Sequence, residues 1–162
     1  MIALGMETSC DETSVAVVRD GTEILSLATW TQYALHQPFG GVVPEVACRA
    51  HQVRLLPLCR QALSEARLAL SDIDLVGVTS QPGLIGALWV GLTAAKSLSL
   101  ALEKPLVGVH HSEAHAYSVC LTGPPPPYPN VCLVVSGGHT LLFRVASPTS
   151  YALLGQTRDD AA

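Results

Sequence analysis

The chain begins with a stretch of thirty residues that reads MIALGMETSCDETSVAVVRDGTEILSLATW. It contains an apolar run at 2–6, an alternating segment at 13–18 and strand-forming residues at 22–30. Between the second and third segments, Asp20-Gly21 is typical of a two-residue hairpin turn. The stretch therefore predicts three antiparallel strands that follow one another in a meander.

Beyond this meander, helical and strand patterns alternate. Pro44 suits the first position of a helix that runs to about residue 66, with a kink expected at Pro57. A strand at 74–79, a helix at 84–102, a strand at 106–109 and a helix at 111–120 follow. The order βββαβαβα predicts an α/β layer architecture in which parallel strands extend the meander and helices cover the sheet.

Composition limits the function classes. Of the 162 residues, 49% are apolar and 14% are charged, which excludes intrinsic disorder. The net charge of -4, with only 9 Lys and Arg, excludes a generally basic surface, so a nucleic acid would need a local patch. The start carries acidic rather than basic residues, which indicates a cytoplasmic protein without an export signal, and the five scattered cysteines fit reduced thiols.

The apolar segment 84–102 has two interpretations. Its length is close to that of a membrane-spanning helix, but a helix buried in an α/β protein can have the same composition. Lys96 in the middle and turn signals at both ends favour the second interpretation, so we expect no membrane contact.

A second meander follows a proline-rich segment. We assign residues 1–123 to a first lobe, 124–130 to a linker and 131–162 to the incomplete start of a second, similar lobe. The second lobe would begin with strands at 131–135, 140–145 and 151–154. Because 159–162 resemble the first turn of a helix without its body, we expect a fragment of a longer, duplicated protein.

One candidate site is a pair of histidines. His111 and His115 lie four residues apart in a segment read as a helix, so both imidazoles project from one face and could share a metal ion. Packing histidines are the alternative. Glu113 lies about 200° from each histidine around the helix, which argues against the H-E-x-x-H type of metalloprotease.

Two polar turns form the other candidate site. The turn at 135–140 contains two glycines whose N–H groups could approach an anion, and the turn at 6–13 offers hydroxyls and carboxylates. Each could be an ordinary turn. Together, at equivalent places of a duplicated fold, they indicate the phosphate clamp of the actin, Hsp70 and sugar-kinase architecture, which is built from ribonuclease-H-like lobes.

Arginines supply the remaining candidate surface. Arg49, Arg60 and Arg67 fall within about 20° of one another on an ideal helix. They could form a contact stripe for RNA or a protein, or a merely solvated face.

Six motifs together resemble one family. They are GMETSCDET from Gly5, FGGVVPE from Phe39, PGLIGAL from Pro82, HHSEAH from His110, VSGGHT from Val135 and the closing DDAA. They resemble the tRNA threonylcarbamoyladenosine transferases of the bacterial or organellar type, formerly called O-sialoglycoprotein endopeptidases. The resemblance extends over essentially the whole chain.

The resemblance implies a reaction and its residues. The family would transfer the threonylcarbamoyl group from threonylcarbamoyl-adenylate to the exocyclic amine of the adenosine beside the tRNA anticodon. His111 and His115 match two ligands of an iron or zinc ion, and the third would lie downstream. The residues that match substrate-binding loops are Thr8, Ser9, Val134, Val135, Ser136, Gly137, Gly138 and His139, while Asp11 is the candidate proton acceptor.

The family also implies partners and leaves alternatives. An inactive paralogue and a small P-loop ATPase are the implied protein partners, and magnesium could accompany a bound nucleotide. The alternatives are an ATP-dependent phosphotransferase or ATPase of the actin-like fold, a metalloprotease, and a non-catalytic scaffold paralogue. We expect the 162 residues alone to lack transferase activity.

Overall fold

The computed structural model describes residues 1–136 and 140–157, and it divides the chain into two compact units, Met1–His111 and Ser112–Ala162. The first unit holds a five-stranded sheet of order β3-β2-β1-β4-β5. Its strands are β1 (Ile2–Glu7), β2 (Glu12–Arg19), β3 (Glu23–Thr31), β4 (Leu75–Gln81) and β5 (Leu106–His110). Its helices are α1 (Tyr33–His36), α2 (Pro44–Ala66) and α3 (Ile85–Leu102).

The meander forms because apolar residues alternate along its strands. β1 pairs antiparallel with β2, and β2 pairs antiparallel with β3. Asp20 and Gly21 have φ of 49° and 80°, the positive values that the tight turn between β2 and β3 requires. β4 joins β1 and β5 joins β4, both in parallel, so the expectation of a mixed α/β fold is confirmed.

The core lies between the sheet and its two long helices. α2 packs against β2 and β3, α3 packs against β4, and the two helices contact each other. The buried side chains of this core include Leu4, Val15, Val17, Leu55, Ala62, Ile73, Val76, Val78 and Ala95. The core therefore fixes the sheet whose edge carries the polar residues described below.

α3 is buried along one face only. Ala87, Gly91 and Ala95 are buried, whereas Ile85 and Trp89 are exposed. In the described part of the chain, α3 is the one helix long and apolar enough to cross a membrane by length and composition, and 22% of it is buried. Core helices of soluble proteins can meet the same criterion, so the finding is weak evidence for a membrane span.

α2 continues through Pro57 and ends at Ala66. Arg67 follows in the left-handed conformation, with φ of 56°, and its N–H bonds to the last carbonyls of the helix. The expectation that Arg67 continues a helical stripe with Arg49 and Arg60 is therefore wrong. Arg49 itself pairs with Glu45 at 2.6 Å on the exposed side of the helix.

The second unit contains a small antiparallel sheet of order β6-β7-β8. Its strands are β6 (Asn130–Val135), β7 (Thr140–Ser147) and β8 (Ser150–Gln156), preceded by α4 (His111–Tyr117), which begins at the last residue of the first unit. Leu141, Phe143 and Val145 form its apolar centre. The domain boundary at 124–130 and the start of a second lobe stay predictions.

Candidate functional site

The candidate site of the first unit lies at one edge of the five-stranded sheet. β1, β4 and β5 are parallel neighbours, so their carboxyl ends meet at the same edge. β1 ends there at Glu7, and β5 ends at His110, directly before His111 begins α4. This edge is the place where open α/β sheets commonly bind ligands.

Glu7 is the centre of a hydrogen-bond cluster at this edge. Its carboxylate accepts hydrogen bonds from the main-chain N–H of Ser9 and from the hydroxyl of Thr79, which lies on β4. The same carboxylate lies 3.1 Å from Nδ1 of His111, and the Ser9 hydroxyl lies 3.2 Å from that nitrogen. The fold thus brings together two residues predicted for the site, Ser9 and His111, around a third that was not.

The electrostatics of the cluster favour an ionised Glu7. Burial alone would raise the pKa of Glu7, but hydrogen bonds from His111, Ser9 and Thr79 outweigh it and lower that pKa to about 2. Conversely, the hydrogen bond to Glu7 raises the pKa of His111, against the opposing effect of burial. The carboxylate is therefore an acceptor at any physiological pH.

The loop after β1 holds the other predicted residues of this unit. Thr8 is fully buried, and its hydroxyl donates to the carbonyl of Ala87 on α3 at 2.8 Å. Ser9 is buried too, and its carbonyl accepts from Leu84. Asp11 is half-buried, and its carbonyl accepts from the main-chain N–H of Gln32.

A buried histidine on α2 forms hydrogen bonds with residues in and next to this loop. Nε2 of His51, on α2, lies 3.0 Å from the carbonyl of Cys10, and Nδ1 lies 2.8 Å from the hydroxyl of Thr13. A carbonyl can only accept, so Nε2 carries the hydrogen and Nδ1 accepts from Thr13. The amide of Gln32 lies beside the same ring and also contacts His36 at 2.9 Å.

The remaining residues predicted to bind the substrate lie in the second unit. Val134 and Val135 are the last residues of β6, and Ser136 follows them. Val134, Val135 and His115 line one cavity of about 550 Å³ inside this unit, together with Tyr128 and Tyr151. Gly137, Gly138 and His139 lie outside the described residues, so their predicted role in substrate binding stays a prediction.

His111 and His115 are the two metal ligands predicted from the sequence. His111 and His115 both lie on α4, four residues apart as expected. Over residues 1–136 and 140–157, no cluster of three or more His, Cys, Asp or Glu side chains could hold a metal ion. Imidazole nitrogens are ligands of the type that iron and zinc accept, and the iron or zinc site, with its third ligand downstream as the resemblance implies, stays a prediction.

Sequence reasoning missed Glu7, Thr79 and His51. Glu7 lies within a quoted motif, but only its contacts with residues 72 and 104 positions away reveal its position in the cluster. His51 occurs in a helical pattern, where nothing in the spacing separates it from a surface residue. The parallel order of β1, β4 and β5 is the signal that could have brought Glu7 and His111 together.

Comparison with solved structures defines the fold class of the chain. The chain resembles YeaZ from Pseudomonas aeruginosa with a TM-score of 0.63 and 19% identity, over 96% of this chain and 65% of that one. It also resembles component A of (R)-2-hydroxyglutaryl-CoA dehydratase from Acidaminococcus fermentans, with a TM-score of 0.55 and 12% identity, over 99% of this chain and 48% of the other. These likenesses establish a shared mixed α/β fold.

The sequence then defines the family. The family model described as tRNA N6-adenosine threonylcarbamoyltransferase matches residues 23–162, and the chain belongs to that family. A tRNA N6-adenosine threonylcarbamoyltransferase from Dictyoglomus turgidum is 54% identical over all of this chain and 48% of its own length. One from Symbiobacterium thermophilum is 52% identical over 99% of this chain and 47% of its own length. The chain spans about half the length of the curated relatives it matches.

Proposed function

We propose that this chain is part of an enzyme that transfers the threonylcarbamoyl group from threonylcarbamoyl-adenylate to the exocyclic amine of the adenosine next to the tRNA anticodon. The observation that carries the proposal is the membership of the family, over residues 23–162. The sheet edge supports it, because Ser9 and His111, two residues that the resemblance assigns to the site, lie 3.2 Å apart there.

The proposed step is an acyl transfer. The amine nitrogen of the adenosine forms a bond to the carbamoyl carbon, and the bond from that carbon to the phosphate oxygen of the adenylate breaks. AMP leaves with the bonding electrons, and the amine loses a proton, for which Asp11 is our candidate acceptor. The loop of Thr8 and Ser9 and the loop of Val134, Val135, Ser136, Gly137, Gly138 and His139 are our candidates for holding the adenylate.

His111 and His115 are our candidates for metal ligands. A bound iron or zinc ion would supply Lewis-acid chemistry at the carbonyl or would orient the threonyl carboxylate. Magnesium beside the adenylate phosphate is a further candidate. We place the reaction in the cytoplasm and propose an inactive paralogue and a small P-loop ATPase as partners, as the resemblance implies.

The test uses the full-length protein. We expect His111→Ala to abolish both metal content and transfer of labelled threonylcarbamoyl to tRNA, because the helix would retain one imidazole of the pair. Glu113→Gln on the same helix is the matched control and should retain both properties. A fully active His111→Ala variant would contradict the role of the metal, and phosphorylation of a sugar from ATP by the parent protein would favour a phosphotransferase instead.

A further inference from the structure

We propose that Glu7 is a positioning residue that fixes the hydrogen of the His111 ring on Nδ1, so that Nε2 is the nitrogen that can ligate a metal. The inference rests on the proposed function, since it assigns a residue to the metal site of that reaction. It adds a residue on β1 to a site otherwise assembled from α4.

The geometry of Glu7 suits this role. Glu7 is the last residue of β1, and its carboxylate is held from two sides by the N–H of Ser9 and the hydroxyl of Thr79. Its side chain is 28% exposed, so solvent competes weakly for the carboxylate. The oxygen Oε2 is therefore held where Nδ1 of His111 meets it at 3.1 Å.

The tautomer follows from the chemistry of the two groups. An ionised carboxylate only accepts hydrogen bonds, so the nitrogen facing Glu7 must carry the hydrogen. A neutral imidazole protonated on Nδ1 has its lone pair on Nε2. A carboxylate bonded to the second nitrogen of a metal-binding histidine orients the ring and increases its basicity as a ligand.

A purely structural role is the competing explanation. Glu7 joins β1, β4 and the start of α4, so its carboxylate could serve only to hold these elements together. A structural role predicts a loss of stability on substitution without an effect on the His111 tautomer. A positioning role predicts a change in the tautomer and in metal affinity while the protein remains folded.

The experiment compares Glu7→Gln with the parent full-length protein. The amide keeps the size of the side chain but can donate to Nδ1 as well as accept, so it no longer enforces one tautomer. We measure the affinity for Zn²⁺ by competition with a chelator, and the ring tautomer of His111 in the metal-free protein by ¹⁵N NMR at alkaline pH. Glu45→Gln is the matched control, because it removes an exposed carboxylate on α2 that pairs with Arg49, on the same helix.

We expect the affinity of Glu7→Gln for Zn²⁺ to fall about 10- to 100-fold, with a mixture of His111 tautomers, whereas Glu45→Gln should match the parent. A folded Glu7→Gln protein with parental affinity would overturn the proposal. If the variant does not fold, the ¹⁵N NMR spectrum of the parent tests the proposal by itself. A hydrogen on Nε2 of His111 would overturn the proposal, and a hydrogen on Nδ1 would support it. Neither readout involves tRNA, so failure of the parent to transfer threonylcarbamoyl would count against the proposed function alone.

Discussion

The imidazole of His51 joins α2 to the loop that follows β1. It is fully buried and donates to the carbonyl of Cys10 while it accepts from Thr13. In the neutral ring the carbonyl of Cys10 places the hydrogen on Nε2, so Nδ1 accepts from Thr13, whereas a protonated ring would donate to both groups. The His51 ring therefore ties the loop that carries Ser9 and Asp11 to α2.

We expect His51 to contribute a decrease in the free energy of unfolding as the pH falls below the ordinary range of histidine, whereas His111, whose pKa is raised, contributes in the opposite direction. Burial lowers the pKa of His51, opposed by the hydrogen bond to Cys10 and by the charges of Glu7 and Asp11, while His36 lowers it further. The unfolded chain then takes up a proton near pH 6.5 at a ring that stays neutral in the folded protein. This contribution to stability is complete above that pH and decreases below it.

The measurement is urea unfolding at a series of pH values. Relative to the parent, His51→Gln should lose less of its free energy of unfolding as the pH falls below about 6.5, because the glutamine does not titrate. Thr13→Val is the matched control: it should lower stability at every pH but keep the dependence, since the ring remains. An equal pH dependence in the parent and in His51→Gln would contradict the prediction.

On α3, Gly91 lies close to the residue that follows β1. A Cβ atom built on Gly91 would lie 2.5 Å from Oγ1 of Thr8, the hydroxyl that donates to Ala87 on the same helix. The small residue therefore allows α3 to lie against the end of β1. The position of the loop after β1 depends on this contact.

We expect Gly91→Ala to destabilise the protein by about 1–3 kcal/mol through overpacking, although alanine is the better helix former. Gly86→Ala on the same helix is the matched control. Its Cβ would meet the Cys48 sulfur at 3.3 Å, which is the end of a side chain. Thermal unfolding of both variants measures the difference, and a Gly91→Ala variant as stable as Gly86→Ala would refute the explanation.

The sequence predicted these elements to different degrees. The strands of the meander followed from alternation at Val15 and Val17 and from the Asp20-Gly21 turn, because those signals are local. The end of α2 near residue 66 was predicted too, but the left-handed conformation of Arg67 was not, because it depends on how the chain leaves the helix. The cluster around Glu7 could not be predicted from spacing, because it depends on the parallel pairing of strands far apart in sequence.

Viewed as a whole molecule, the chain has few charges and an exposed apolar groove. With a net charge of -4, general electrostatic attraction does not favour the binding of a nucleic acid to this chain. Between α2 and α3 lies a groove of about 880 Å³, lined by Leu55, Leu56, Ile85, Trp89 and neighbouring residues. Trp89 is 68% exposed there, which is unusual for the largest apolar side chain.

As a test of the partners proposed above, we propose this groove as the docking surface for the inactive paralogue, because Ile85 and Trp89 expose apolar side chains there that a protein partner would cover. Trp89→Glu in the full-length protein should then weaken binding of the purified paralogue at least about tenfold, as expected for a buried aromatic anchor. Leu100→Glu is the matched control, since Leu100 is 82% exposed on the same helix but does not line the groove. Titration calorimetry measures both affinities. Equal affinities of the parent and Trp89→Glu for the paralogue would contradict this prediction. If the parent instead binds lipid vesicles and Trp89→Glu does not, the groove contacts a membrane.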